Sequence, residues 1–211
     1  MKVIDLTHPI TENMRVYFPW HPATAIEQTA SFREHQCVVR RLTIGTHTGT
    51  HIDAPSHIFE GMHTMEGYDP SVWIQNAQVL DFTPREPRKE ITAAELRRKR
   101  VSRRGAVILK TGWDVRFGME DFYETYPPLA EDAAEYLVSL GIRAIASDTP
   151  YTLAVHKIFL SHGIPLITNL NNTSSLRQGK VRLIAAPLLI QGGDGAPARV
   201  LAIVPGRSRV R

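Results

Sequence analysis

The sequence has very little cysteine and no long apolar run. Cys37 is the only thiol among 211 residues, so no disulfide can form within the chain. A lone thiol, and a first segment without the apolar run of a secretory leader, favour a reducing compartment, and we expect a cytoplasmic protein. No stretch is apolar over the length needed to cross a bilayer, so we expect no membrane partner. Because valines follow Cys37, we interpret it as a buried strand residue rather than a nucleophile.

A large excess of one charge sign is also missing. Lys and Arg number 25 against 21 Asp and Glu, which gives a net charge of +4. The excess lies mainly in residues 97–104 and at Arg207, Arg209 and Arg211. A nucleic-acid surface is one interpretation, but no aromatic residues alternate with these charges as single-strand binding requires. We interpret the two basic stretches as a solvated helix end and a frayed terminus, and expect no nucleic-acid partner.

What remains is the composition of an ordinary globular domain. Hydrophobic residues make up 43% and charged residues 22% of the chain. No internal repeat or low-complexity linker divides it. We therefore predict a single domain over residues 1–211, with an N-terminal loop arm at about residues 11–30.

Strands precede a region in which strands and helices alternate. Thr92 and Glu95 form a capping box at the start of one predicted helix, and Val39 and Leu42 are expected to contribute to the core. This order predicts an α/β domain with a mixed central sheet. Strands are predicted at 2–6, 37–44, 77–82, 105–111, 142–146 and 165–170, helices at 91–100, 129–140 and 152–161, and a closing hairpin at 181–190 and 198–204, joined by the turn 191–195.

The most informative stretch is residues 47–57, which concentrates nitrogen and oxygen donors of the kind that Zn²⁺, Mn²⁺ and Fe²⁺ accept. Gly49 and Pro55 disfavour a helix, so we predict a strand that runs into a loop. In a strand, His51 and Asp53 point to the same side. The donors are His47, His51, Asp53 and His57. Three protein ligands to a divalent ion would leave a position open for an activated water.

Other residues allow two interpretations. The aromatic and proline-rich segment 17–22 either lines an apolar pocket or packs as an arm on the surface or on another subunit. Taken by itself, His156 is more simply a core histidine than a ligand. His63 either faces a pocket or is solvated at its mouth.

The run at residues 47–57, with Phe59 just after it, resembles the metal-dependent cyclase-like hydrolases, the family of bacterial kynurenine formamidase and isatin hydrolase. The resemblance extends over nearly the whole chain and includes residues 5–8, 111–113, 147–150 and 164–170, together with His156. It implies a swivelling β/β/α fold, a homodimer or homotetramer, and a divalent metal, zinc or manganese.

The resemblance also assigns roles. His47, His51 and Asp53 match ligands of a first metal, and His57 matches a proton shuttle. In relatives with two metals, Asp53 would bridge them, and His156 with a glutamate would hold the second. That glutamate position is interpreted as Asn169, a neutral and weak ligand, so the second site either binds metal poorly or uses another acid such as Asp148.

The candidate substrate-binding residues are Trp20 and Phe59, which lie in the segments that carry the resemblance, and His63. Trp20 stands where the family usually has glycine, so the pocket is reshaped. The expected function is opening of the carbon–nitrogen bond of a small aryl amide or lactam by metal-activated water, as in kynurenine formamidase. The alternatives are an isatin-hydrolase-like or other cyclic amide hydrolase, and a non-catalytic metal-binding protein, which Asn169 supports best.

Overall fold

A computed structural model describes residues 1–205, so the predicted frayed end at Arg207, Arg209 and Arg211 lies outside the described residues. The strands are β1 Lys2–Asp5, β2 Ala25–Ala30, β3 Val39–Thr43, β4 His51–Asp53, β5 Ile74–Asp81, β6 Ala106–Lys110, β7 Ala144–Ser147, β8 Leu166–Thr168, β9 Gly179–Pro187 and β10 Gly195–Val204. The helices are α1 Phe32–His35, α2 Ala93–Arg98, α3 Phe122–Thr125, α4 Glu131–Ser139 and α5 Leu153–Leu160.

Seven strands close into a barrel-like mixed sheet in the order β10, β4, β8, β7, β6, β5, β9, and β9 pairs back with β10. The four strands β5 to β8 run parallel, whereas β4, β9 and β10 pair antiparallel with their neighbours. The first strand, β1, extends the sheet along β10. This architecture confirms the predicted α/β class with a mixed sheet.

Side chains alternate between the inside of the barrel and a helical layer outside it. Val79 and Ile108 belong to the core enclosed by the barrel. Their neighbours Leu80 and Leu109 belong to a second core, which includes Leu137 of α4. All five residues of β6 are buried, as predicted for a strand covered on both faces.

Local capping fixes where the helices begin. The predicted capping box of α2 is present: Thr92 Oγ1 accepts from the Glu95 N–H, and the Glu95 carboxylate accepts from the Thr92 N–H. Thr152 caps α5 in the same way by accepting from the Val155 N–H. Among the described residues, no helix has the combined length and apolarity that crossing a membrane would need.

The N-terminal arm differs from the prediction. The predicted loop arm contains a strand, β2, which pairs with β3 in a separate two-stranded hairpin. Because this hairpin is not part of the barrel, Val39 and Leu42 are 50% and 53% exposed rather than in the core. The prediction that Cys37 is buried is also wrong, since its thiol is exposed.

Candidate active site

The short strand β4 delivers two of the predicted donors to one side of the sheet. His51 and Asp53 line a cavity with aromatic walls, whereas Ile52 between them lies in the core inside the barrel. The strand is held on both edges, because Asp53 pairs in register with Gly195 of β10 and His51 with Thr168 of β8. Strand alternation therefore places both donors as predicted.

Asp53 is the centre of the donor cluster. Its side chain is 1% exposed, so its charge is almost wholly removed from water. Three imidazoles compensate for this burial. Their ring nitrogens contact the Asp53 oxygens at 2.7 Å for His47 Nδ1, 3.4 Å for His51 Nε2 and 3.3 Å for His156 Nε2.

The second nitrogen of each of these three rings hydrogen-bonds away from Asp53. This is the arrangement of metal-ligating histidines, in which an outer acceptor fixes the tautomer and leaves the inner nitrogen free to bind. His156 belongs to this arrangement although it lies on α5, about 100 residues from β4 in sequence. The outer acceptors are Gly49 O for His51 at 2.8 Å, Thr152 O for His156 at 2.9 Å and Asp194 Oδ2 for His47 at 2.8 Å.

The electrostatics follow from this packing. Burial alone would raise the pKa of Asp53, but the charge of His51 and hydrogen bonds from the three imidazoles hold that pKa well below its usual range. Burial alone would lower the pKa of His47, but hydrogen bonds to Asp194 and Asp53 outweigh it and raise the pKa to about 9. Without a metal, His47 is therefore a cation held between two carboxylates.

His57 lies beside the cluster on the short 3₁₀ turn Pro55–His57. Its ring centroid is 4.0 Å from that of His47, and its Nδ1 is 3.1 Å from Asp194 Oδ2. The side chain is 26% exposed, which is more than the 11% of His47. His57 is thus the histidine of this group with access to both the cluster and solvent.

The donor set fits a divalent cation. Within residues 1–205, three groups of side chains place ligand atoms within 4.8 Å of one another, and one of these groups is the predicted set His47, His51 and Asp53. Two ligands bound to tetrahedral Zn²⁺ at about 2.1 Å lie about 3.4 Å apart. The contacts of His51 and His156 with Asp53, at 3.4 and 3.3 Å, have this spacing. The other two groups are His47, His57 and Asp194, and Asp53, His57 and His156.

The β8 end of the site contains neutral residues. The Asn169 Nδ2 donates to Gly49 O, and its buried Oδ1 has no hydrogen-bond partner among the described residues. The Thr168 hydroxyl lies 3.1 Å from both ring nitrogens of His51. Asp148 is not at the cavity: it is fully buried, and the N–H groups of Thr111 and Gly112 donate to its carboxylate.

The cavity above this cluster has a volume of about 400 Å³, a size that accepts a small organic molecule. Trp20 lines it, as expected, and stacks on Phe18 with the ring centroids 4.2 Å apart. Phe59 and His63 do not line this cavity: Phe59 packs against the second core, and the His63 ring forms a T-shaped pair with Tyr68. The remaining apolar wall consists of Tyr17, Ile58, Tyr123, Pro150, Tyr151 and Leu153.

Sequence reasoning missed Asp194, Thr168 and Tyr123. Asp194 lies in a glycine-rich segment that was interpreted only as a hairpin turn. Its single carboxylate among glycines was the one available indication that the turn does more than reverse the chain.

Comparisons with known proteins agree with this geometry. The family model described as "Putative cyclase" matches residues 4–152. A kynurenine formamidase of Bacillus cereus is 31% identical over 208 residues, which cover 94% of this chain and 95% of that protein. A kynurenine formamidase of Bacillus anthracis is 28% identical over 208 residues, covering 95% and 96% of the two chains.

Solved structures give the same assignment. A potential metal-dependent hydrolase with cyclase activity is 30% identical with a TM-score of 0.79, covering 95% of this chain and 96% of that chain. An isatin hydrolase bound to the product analogue thioisatinate shares the fold with a TM-score of 0.88 at 24% identity, over 97% of this chain and 93% of that chain. Sequence, fold and donor set together show that this chain belongs to the cyclase family.

Proposed function

We propose that this chain is a metal-dependent hydrolase that opens the carbon–nitrogen bond of a small aryl amide. The observation that carries the proposal is the arrangement around Asp53: three imidazoles each present one nitrogen to a buried carboxylate, and each is fixed through its other nitrogen. This preorganised donor set forms the floor of a cavity with aromatic walls. Cyclase-family relatives that are named as amide hydrolases support the same reaction class.

His47, His51 and Asp53 would hold the divalent cation. When bound there, the cation lowers the pKa of a water molecule and polarises the amide carbonyl. Zinc or manganese is the proposed metal, because imidazole and carboxylate suit both. The unpartnered Oδ1 of Asn169 is available as a further, weak oxygen ligand of a second ion with His156.

His57 is the proposed proton carrier. It is partly exposed and lies next to the donor cluster, so it can accept a proton and deliver one to the leaving nitrogen. Replacing His57 is expected to lower turnover more than metal content.

The substrate class follows from the walls of the cavity. Tyr17, Phe18 and Trp20 present ring faces and edges on which an aryl group can stack. A formamidase-type aryl amide is the first candidate substrate. A lactam of the isatin type is the second candidate, supported by the fold that this chain shares with an isatin hydrolase.

The oligomeric state, the roles of Phe59 and His63, and the cellular location are proposed together with this function. The exposed apolar residues Val39 and Leu42 of the N-terminal hairpin, and Phe32 of α1 between its strands, support a homodimer or homotetramer. We also propose that Phe59 and His63 act on the substrate only indirectly, through the loop that carries His57. The swivelling β/β/α arrangement, a single domain over residues 1–211 and a cytoplasmic location complete the proposal.

Elemental analysis followed by assays on N-formylkynurenine and isatin tests the function. One or two metal ions per chain with hydrolysis of the aryl formamide are the expected result. One metal ion with lactam opening alone would move the assignment to the second candidate. Metal-free protein that neither binds added Zn²⁺ or Mn²⁺ nor cleaves either compound would contradict the proposal.

A further inference from the structure

One carboxylate oxygen outside the predicted motif contacts two histidines of the site. Asp194 Oδ2 lies 2.8 Å from Nε2 of His47 and 3.1 Å from Nδ1 of His57. Its side chain is 39% exposed, whereas Asp53 on the other side of His47 is 1% exposed. His47 therefore lies between a buried carboxylate that faces the donor cluster and a second carboxylate that is partly exposed.

The backbone holds Asp194 in this place. The Ala54 N–H donates to Asp194 O at 2.9 Å, and the next residue, Gly195, pairs in register with Asp53. The turn before it is anchored as well, since the Gly192 N–H donates to the Glu66 carboxylate at 2.7 Å. The ladder that positions Asp53 therefore also positions Asp194, and the contact with the two imidazoles is built into the sheet.

We propose that Asp194 is a positioning residue that couples the metal ligand His47 to the proton carrier His57. A carboxylate only accepts hydrogen bonds, so both rings must place an N–H toward it. This leaves Nδ1 of His47 free for the cation shared with Asp53, and Nε2 of His57 free for proton transfer. The inference rests on the proposed function for the role of His57, but the hydrogen-bond geometry stands without it.

The alternative is that Asp194 is itself a ligand. His47, His57 and Asp194 do form a group that can hold an ion. However, His47 already directs Nδ1 to within 2.7 Å of Asp53, and an ion on its Nε2 side would lie away from the donors His51 and His156. Acceptance of both N–H groups by Asp194 Oδ2 accounts for both contacts and keeps the predicted ligand set intact.

Asp194→Asn tests the inference. The side-chain amide has the shape of the carboxylate, but an NH₂ donor replaces one of the two acceptor oxygens. We expect the Nδ1–H tautomer of His57 to be lost in ¹H–¹⁵N spectra of the imidazoles. Zinc affinity, measured against a chromophoric chelator, should fall about 10- to 100-fold with the stoichiometry at saturation unchanged. The kcat for an aryl formamide should fall about 100-fold with KM within about twofold.

Three further variants complete the experiment. Glu120→Gln removes a carboxylate at an exposed site outside the cavity and should leave spectra, zinc affinity and kcat unchanged. Asp194→Glu keeps an acceptor-only carboxylate and should restore the His57 tautomer at least in part, which also covers the case in which Asp194→Asn does not fold. Asp194→Asn in a His57→Gln background should lower kcat by less than about threefold, because positioning acts through His57.

The results separate the possible outcomes. An unchanged His57 spectrum in Asp194→Asn overturns the positioning role, and a loss of zinc stoichiometry overturns it in favour of a ligand. A wild-type protein that cleaves no aryl amide would contradict the proposed function alone, since the spectra and zinc affinities still decide the role of Asp194.

Discussion

The floor and the rim of the cavity are built by opposite means. On the floor, His51 and Asp53 lie on a strand paired on both edges, and Asp53 is 1% exposed. At the rim, Trp20 is 73% exposed, and its contacts are ring stacking with Phe18 and an edge contact with His21. The floor is rigid because backbone ladders fix it, whereas the rim depends on side chains of a loop.

Because of this difference, the floor suits metal binding and catalysis, whereas the rim suits substrate selection. Donor atoms must be placed within a few tenths of an ångström for metal binding, which a hydrogen-bonded strand provides. Loop aromatics can be exchanged with little effect on the barrel, so they are the natural place for substrate preference. Changes to the floor should therefore affect metal binding and kcat, and changes to the rim should affect KM.

The largest effect is expected for Asp53→Asn. Removing this charge leaves three imidazoles without their common partner and abolishes the central ligand. We expect bound metal below about a tenth of the wild-type content and activity at least about 1,000-fold lower. Elemental analysis and kcat/KM measure both. Glu120→Gln removes the same charge from an exposed site and should change neither, and metal-replete Asp53→Asn protein would contradict the proposed ligand set.

Gly195→Ala should have the next largest effect, although it adds one methyl group. A Cβ there would lie 2.6 Å from His47 Cε1 and 2.8 Å from Ile52 O, and the latter is backbone that cannot yield. We expect destabilisation of about 1–3 kcal/mol and about 10- to 100-fold weaker metal binding. Urea unfolding and chelator competition measure these. Ala186→Val, on the exposed face of β9, is the control. Equal losses of stability and metal affinity in the two variants would contradict a specific effect of the added methyl group on His47.

The pH dependence of the floor should be smaller but specific. The pKa of His47 is raised from 6.5 to about 9, so in metal-free protein its stabilising contribution is complete below pH 6.5 and is lost as the pH rises through about 9. Metal must displace that proton, so apparent metal affinity should rise about tenfold per pH unit up to about pH 9. Calorimetry in buffers of different ionisation enthalpy measures the released proton. Proton release that persists in His47→Asn would argue against this origin.

Trp20→Ala tests the rim and should have the smallest effect. Loss of its ring should raise KM for an aryl amide about 3- to 10-fold, with kcat within about twofold and stability unchanged. Steady-state kinetics and thermal unfolding measure these values. Phe32→Ala removes an equally exposed aromatic side chain that does not line the cavity and should leave KM unchanged. A loss of bound metal in Trp20→Ala would show that the rim also supports metal binding, which contradicts the division between rim and floor.

Some of the structure was predictable because its cause is local. The capping box of Thr92 and Glu95, the doubly buried β6 and the shared orientation of His51 and Asp53 follow from neighbours in sequence. The position of Asp194 was not predictable in this way, since it lies 137 residues from His57 along the chain. Burial of Val39 was predicted wrongly, because strand periodicity does not show whether a strand joins the barrel or a separate hairpin.

The sequence by itself determined the donor chemistry. Three histidines and an aspartate within eleven residues are donors of the kind that a divalent cation accepts whatever the fold, because its ligand preferences depend on atom type. Only the tertiary structure decided which nitrogen of each ring faces Asp53, how closely His156 approaches Asp53, and that Asp194 lies against His47 and His57. These depend on strand pairing and helix packing between distant segments, and hydrogen-bond direction is set only when those segments meet.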